Sequence, residues 1–345
     1  MNEHPEQNIA QDKDQVGIPP YILIKQPWRC VMGLLQNGQW VDQWYNTDAS
    51  HGEFRRQDSR FRSWLTPEGE AGPDGERGFK AEKGRYHLYV SLACPWAHRT
   101  LIFRKLKQLE DYIDVTVVDP IMLENGWELS DPRQNLDFLY QLYLKADASY
   151  EGRVTVPVLW DTHTKTIVSN ESSEIIRMFN TAFNHLTGNS DDYYPESLQD
   201  KIQALNERVY DTINNGVYLA GFATTQTAYD QAFLTLFDSL DWVEGILSQQ
   251  RYLAGDKITE ADWRLFTTLI RFDAVYFGHF KCNRQRLADY PSISAYVREL
   301  YQVPGVSETV DIEHIKTHYY ASHRTINPTG VIPLGPKQDF DKPRS

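Results

Sequence analysis

In the run Ser91-Leu92-Ala93-Cys94-Pro95-Trp96-Ala97, one cysteine stands where a strand-like stretch gives way to a helix-like one. Proline suits the first turn of a helix, because an N–H there has no intrahelical partner to lose. That places Cys94 at the N-cap, with free backbone N–H groups and the positive end of the helix dipole aimed at its sulfur. Both favour thiolate over thiol, so the pKa is expected to fall below the ordinary ~8.5. The blander reading, an inert filler residue, suits Cys30 and Cys282, neither of which sits at a recognisable helix start. Ala97 occupies the position where a dithiol oxidoreductase carries its second cysteine. A mixed disulfide on Cys94 then has no neighbour in this motif to resolve it, and an outside thiol must attack.

In a cytosol the abundant thiol of that kind is glutathione, and the sequence offers groups to hold it. Pro157 in "RVTVPVLW" precedes a short strand, and a cis bond there would turn the Val156 backbone toward the cysteine. Exposed Val156 backbone groups can pair with a peptide-like ligand as a short added strand. In "SNESSEII", Glu171 and Ser172 stand at a helix start. Backbone N–H groups and the Ser172 hydroxyl suit a carboxylate, and the Glu171 carboxylate suits an ammonium group. The γ-glutamyl end of glutathione carries both charges. Taken alone, Glu171-Ser172 reads as an ordinary N-cap; joined to Cys94 and Val-Pro, the binding reading wins. The same residues complete a formal glycosylation sequon, Asn170-Glu171-Ser172, which is discounted without a secretion signal.

The elements that would position these groups are legible. Tyr86 to Ser91 is strand-like, Ala97 to Leu109 has helical apolar spacing, and Ile113 to Val118 is a second strand. Residues 124 to 150 read as an insertion. Val158 to Trp160 and Thr166 to Val168 read as a hairpin across "DTHTK", followed by a helix from Ser172 to Ala182. This βαβ unit followed by ββα implies a small α/β domain with a mixed sheet, over residues 85–185. Residues 195–325 read as helical, with helices expected at Leu198 to Tyr210, Thr227 to Leu247, Glu260 to Ala274 and Ile293 to Leu300. Thr259 and Asp262 form a capping box for the third, with Ile258 stapling onto Trp263. Residues 1–84 read as an extension that packs on the core through Trp28, Trp40, Trp44, Phe54, Phe61 and Trp64, with a surface loop in "TPEGEAGPDGERG". Residues 326–345 form a tail.

The chain has 345 residues and a net charge of −12, which argues against nucleic acid and anionic membranes as partners. The polar N-terminus is not a signal peptide, and no run approaches ~18 apolar residues. Three cysteines make no disulfide framework, so reduced thiols in a cytoplasm are expected. His314 and His318 have i, i+4 spacing in "HIKTH" without the glutamate of a zinc-protease motif; they read as exposed histidines on a helix face, and no metal is expected. The aromatic share of 13% leaves many rings for packing or for a flat ligand.

These features together resemble the thioredoxin-fold glutathione transferases and, more narrowly, the glutathionyl-hydroquinone reductases of the xi class. The resemblance is carried by CPWAHR at 94–99, GW at 126–127, TVPVLW at 155–160, NESSEI at 170–175, ITEADWRLFTTLIRFD at 258–273, VYFGHFKCN at 275–283 and NPTGVIPLGP at 327–336. It covers nearly all of the chain from residue 20. It implies a thioredoxin-like domain with a mixed sheet followed by an all-helical domain, and a homodimer. It implies reduction of glutathionyl-hydroquinones, with a second glutathione as co-substrate and glutathione disulfide as product. Carried over by motif, Cys94 is the nucleophile, and Trp127, Arg153, Val154, Thr155, Val156, Glu171 and Ser172 bind glutathione. Tyr218 is the proton donor to the departing ring carbon, and Tyr276 and Tyr319 lower the cysteine pKa by hydrogen bonding to the thiolate. A thiol transferase or dehydroascorbate reductase on the same fold would share Cys94 but not the tyrosines. A non-catalytic module would need neither.

Overall fold

The computed structural model describes residues 33–43, 45 and 47–343. Trp28, Cys30 and Trp44 lie outside the described residues. The central strand, β1 (Tyr86–Val90), is buried at every position, so it has no alternating pattern. That is what a strand covered on both faces requires. It pairs in parallel with β2 (Ile113–Val117) through the crossover helix α1 (Pro95–Leu106). On its other side it pairs antiparallel with β3 (Val158–Asp161), which forms the expected hairpin with β4 (Thr166–Ser169). The mixed sheet has the order β4-β3-β1-β2. Helix α2 (Ser172–Thr181) packs beside α1.

Helix α1 begins and ends earlier than the apolar spacing suggests. Cys94 caps it, and Gln108 takes a left-handed conformation (φ +55°) just beyond its end. Leu109, expected within the helix, is instead fully buried after that turn. The 124–150 insertion is also more ordered than expected. It forms a meander of Met122–Leu123, Gly126–Asp131 and Leu136–Phe138, then a helix at Leu139–Ala146. Gly126 has φ +76°, and a Cβ there would stand 2.7 Å from the Trp40 ring. Only glycine fits both demands.

Within the arm, Phe54, Leu65 and Phe79 are buried. Its hairpin, Leu34–Gln36 and Gln39–Val41, pairs with Gly152–Arg153. A parallel pair, Trp64–Thr66 and Gly78–Lys80, flanks the Gly- and acid-rich loop.

The helical half comprises α3 (Gln199–Val209), α4 (Gly216–Gly221), α5 (Gln226–Leu247), α6 (Glu260–Arg271), α7 (Pro291–Tyr301) and α8 (Ile312–Ser322). The capping box of α6 forms as read. Asp262 accepts from the Thr259 N–H (2.7 Å), and also from the Leu253 N–H (2.9 Å) and the Tyr296 hydroxyl (2.8 Å). Two wide, π-type turns interrupt the helices, at Tyr210–Asn214 and Phe272–Tyr276. The second ends α6 three residues before the expected boundary at Ala274. Such turns redirect side chains locally and recur at functional sites. Here the first precedes the helix that carries Tyr218 and the second itself carries Tyr276.

Candidate active site

Cys94 is the N-cap of α1, as its Cys-Pro context predicts. Its sulfur accepts from the Ala97 N–H (3.5 Å) and lies 3.5 Å from the Val156 carbonyl. The Val156-Pro157 bond is cis. No hydrogen bond among the described residues engages the Val156 N–H.

The expected fall in the thiol pKa is not met. Burial pushes the Cys94 thiol up, and the Ala97 N–H, Arg271, the Trp96 N–H and Arg56 work against that rise without cancelling it. The helix terminus does act as read from sequence, but desolvation of the sulfur outweighs it. The expected hydrogen bonds from Tyr276 and Tyr319 to the sulfur are absent among the described residues. The two hydroxyls bond to each other at 3.1 Å, and Tyr319 bonds to Tyr218 at 2.5 Å. Their mutual pairing uses the polar groups that would otherwise reach Cys94. Burial pushes all three phenols up, and the neighbouring Cys94 adds to the rise at Tyr218. All three are therefore protonated at neutral pH.

Arg271, at the end of α6, lies beneath the cysteine loop and is fully buried. Its guanidinium donates to the carbonyls of Leu92 (2.8 Å), Ala93 (2.8 Å) and Thr267 (2.6 Å), and meets His98 Nδ1 at 3.0 Å. No carboxylate pairs with it among the described residues. A buried cation without a counter-ion favours an anion at the next available position, and the residue after Ala93 is Cys94. Arg56, from the arm, adds a second cation. It stacks over Trp96 (4.8 Å) and Tyr218 (5.2 Å) and donates to Asn215 Oδ1 (3.1 Å).

Two adjoining hollows share the walls formed by Trp96, Thr155 and Val156, and Cys94 lines the smaller of them. A cleft of about 870 Å³ runs between the arm and α2, with Ser59, Thr155, Val156, Glu171 and Ser172 in its wall. A smaller cavity of about 100 Å³ is lined by Cys94, Trp127, Tyr218, Phe222, His318 and Tyr319. Arg56, Trp96, Arg153, Thr155 and Val156 border both.

The polar end of the cleft is built by the α2 N-terminus. Glu171 caps it, accepting from the Ser173 N–H (3.0 Å) and hydroxyl (2.9 Å) and from the Ser59 hydroxyl (3.1 Å). Burial opposes its ionisation, yet these donors and Arg99 hold the carboxyl below the usual carboxylate range. Arg99, buried under Trp96 (4.5 Å), reaches Ser172 Oγ at 3.5 Å. Arg153 is turned toward the arm, donating to the Gly33 and Gln43 carbonyls and stacking on Tyr45 at 4.2 Å.

The fold brings Cys94, Trp127, Val154, Val156 and Tyr218 around one cavity, with Glu171 and Ser172 at the far end of the cleft. Tyr276 stands one layer behind, through Tyr319. Cys282 is fully buried and burial pushes its thiol up, as expected of a filler residue. His314 and His318 are not the exposed pair expected. His318 is 7% exposed and stacks on Trp127 (4.8 Å, 20°), and His314 is half-buried beside Ser91. Among the described residues no group of three or more His, Cys, Asp or Glu is arranged to hold a metal. Sequence reading missed Arg56, Ser59, Arg271 and His318 as site residues. Arg271 left one signal: an arginine inside the apolar run LFTTLIRF of a capped helix.

Residues 93–182 match the family model for the N-terminal domain of glutathione S-transferases, and residues 226–299 match that for the C-terminal domain. The glutathionyl-hydroquinone reductase YqjG of Escherichia coli is 59% identical over 321 residues, covering 90% of this chain and 98% of that protein. PcpF of Sphingobium chlorophenolicum, another glutathionyl-hydroquinone reductase, is 51% identical over 89% of this chain and 97% of its own. The glutathione-bound structure of YqjG superposes with a TM-score of 0.81, covering 83% of this chain and 95% of that one at 60% identity. The xi transferase of Phanerochaete chrysosporium superposes with a TM-score of 0.79 at 53% identity, covering 85% and 100%.

Proposed function

The chain belongs to the glutathionyl-hydroquinone reductases of the xi class of glutathione transferases, and on that premise we propose how its residues carry out the glutathione-dependent reduction of glutathionyl-hydroquinones. The observation that carries the proposal is the Cys94 sulfur in the wall of a small aromatic cavity that shares Trp96, Thr155 and Val156 with the polar cleft. The polar cleft fits a tripeptide and the small aromatic cavity fits a ring, so the thioether sulfur between them comes to rest beside Cys94.

Val156 offers its free N–H to the cysteinyl part of glutathione. Glu171 faces the γ-glutamyl ammonium, and Ser172 with the first N–H groups of α2 faces the carboxylate. Trp127, Val154, Thr155 and Arg153 complete the walls, Arg153 by fixing the arm. The Cys94 thiolate then attacks the glutathionyl sulfur. The carbon–sulfur bond breaks, its electron pair goes to the ring carbon, and Tyr218 supplies the proton that carbon needs. Hydroquinone leaves, and Cys94 holds glutathione as a mixed disulfide. A second glutathione thiolate attacks the glutathione sulfur, and Cys94 departs as thiolate. The ring carbon gains two electrons, and the thioether sulfur of the conjugate and the thiol sulfur of the second glutathione each lose one as they join in glutathione disulfide. Tyr319 and Tyr276 orient and reprotonate Tyr218 instead of bonding the thiolate.

One preparation assayed with glutathionyl-menadiol and with a glutathionylated disulfide tests this reading. The quinol substrate is expected to turn over faster. Much faster turnover of the disulfide would favour a thiol transferase that shares Cys94 and has no use for Tyr218.

The glutathione-binding domain is placed at 85–185 and the helical domain at 195–325. The assembly proposed is a cytoplasmic homodimer joined through the helical half. A cytoplasm keeps Cys94 reduced between turnovers. Sedimentation of the chain as a 40.1 kDa monomer would sink the dimer.

A further inference from the structure

The small cavity beside Cys94 must distinguish a hydroquinone ring from a plain aryl ring. The two differ by hydroxyl groups, which can donate hydrogen bonds. Several polar groups at the cavity cannot receive them. The Arg56 guanidinium and the Trp127 indole N–H only donate. The Tyr218 and Tyr319 hydroxyls keep acceptor lone pairs, but they are bonded to one another and committed to delivering the proton to the ring carbon. His323 borders the cavity too, but its Nδ1 shares a proton with His279 Nε2 at 3.1 Å, and that pair does not fix which nitrogen carries it.

His318 is different. Its Nδ1 lies 2.9 Å from the Pro120 carbonyl. A carbonyl only accepts, so Nδ1 carries the proton and Nε2 carries a lone pair. No partner meets Nε2 among the described residues. The ring lies flat on Trp127 and forms part of the cavity wall with Cys94 and Tyr218. Nδ1 is spent on the Pro120 side, so Nε2 is the polar edge the ring offers to a ligand.

We propose that His318 is a specificity residue whose unprotonated Nε2 accepts a hydrogen bond from a ring hydroxyl of the bound glutathionyl-hydroquinone, selecting hydroxylated rings over plain aryl groups. This rests on the reading that such a conjugate is the substrate. Burial pushes the imidazolium down to about 4, so the ring is neutral and able to accept at neutral pH. Trp127 and Pro120 hold the imidazole plane, so the acceptor is preorganised and the bond selects for hydroxyl position as well as presence.

The test is calorimetric binding to full-length protein carrying Cys94→Ser, which removes turnover. The probes are 2-glutathionyl-1,4-hydroquinone and S-phenylglutathione, which lacks the hydroxyls. Two substitutions separate the ends of the imidazole. His318→Asn keeps a donor for Pro120 and removes the cavity acceptor. His318→Gln keeps an acceptor near Nε2 and gives up the Pro120 bond. His318→Asn is expected to weaken the hydroquinone conjugate about tenfold while S-phenylglutathione stays within about twofold, and His318→Gln to stay near the parent on both. Equal loss on both probes, no loss with His318→Asn, or a His318→Gln loss as large as that of His318→Asn would overturn the assignment while leaving the reductase reading intact. If the parent binds neither probe, both fall.

Discussion

Cys94→Ser is expected to lower turnover of glutathionyl-menadiol by at least about three orders of magnitude, or ~4 kcal/mol of barrier. A serine hydroxyl at this N-cap accepts the Ala97 N–H as the sulfur does, so the fold is retained while the nucleophile is lost. Intact mass after incubation with the conjugate should show one glutathione adduct in the parent protein and none in the variant. Residual activity within tenfold of the parent would remove Cys94 from the mechanism. The same sulfur sets a pH dependence. Its pKa is raised in the folded protein, so the protonated form is favoured there. The stability this contributes is present through neutral pH and is lost as pH rises through the folded-state pKa. Alkylation by iodoacetamide without glutathione should therefore climb with pH to a midpoint above that of an ordinary thiol. Removing the unpaired buried cation with Arg271→Met should move that midpoint higher still, because Arg271 stabilises only the ionised sulfur. A midpoint unmoved by Arg271→Met would reduce Arg271 to a clamp on the Leu92 and Ala93 carbonyls.

Tyr218→Phe should slow carbon–sulfur cleavage by about 10²-fold, the low end of what a positioned general acid supplies. Reduction of a glutathionylated disulfide should be nearly unchanged, because a departing thiolate needs no proton on carbon. That split separates an acid from a packing residue, since a ring needed only for shape would affect both substrates alike. The Tyr218 hydroxyl touches Tyr319, and burial keeps it protonated at neutral pH, so the proton is available when the ring carbon needs it. Equal losses on both substrates would assign Tyr218 to packing.

Local sequence logic carried far in the thioredoxin-like half. Cys94-Pro95 marks a helix start because proline constrains its own turn, and the structure has the cap there. The β3–β4 hairpin and the capping box at Thr259 and Asp262 are also short-range devices, and both form as read. The 124–150 insertion was harder to read because its strands are short and one is bent by an irregular register. Helix α6 is buried all round, so its boundary could not be found from an amphipathic face, and the wide turn after Arg271 follows from packing.

The chain by itself determined which cysteine caps a helix, that no partner cysteine stands in its motif, and that Glu171 caps a second helix start beside Ser172. Each of those facts is encoded within a few consecutive residues, where covalent geometry and capping rules act. Tertiary structure alone decided the electrostatic balance at Cys94. Burial raised a pKa that the helix terminus alone would have lowered, and Arg271 and Arg56 act on the sulfur from 177 residues downstream and 38 residues upstream, a meeting that no local motif marks. It also turned Tyr276 and Tyr319 away from the thiolate and toward Tyr218, and brought His318 into the ring cavity. Desolvation and long-range pairing depend on what the whole chain encloses, which spacing along the sequence does not encode.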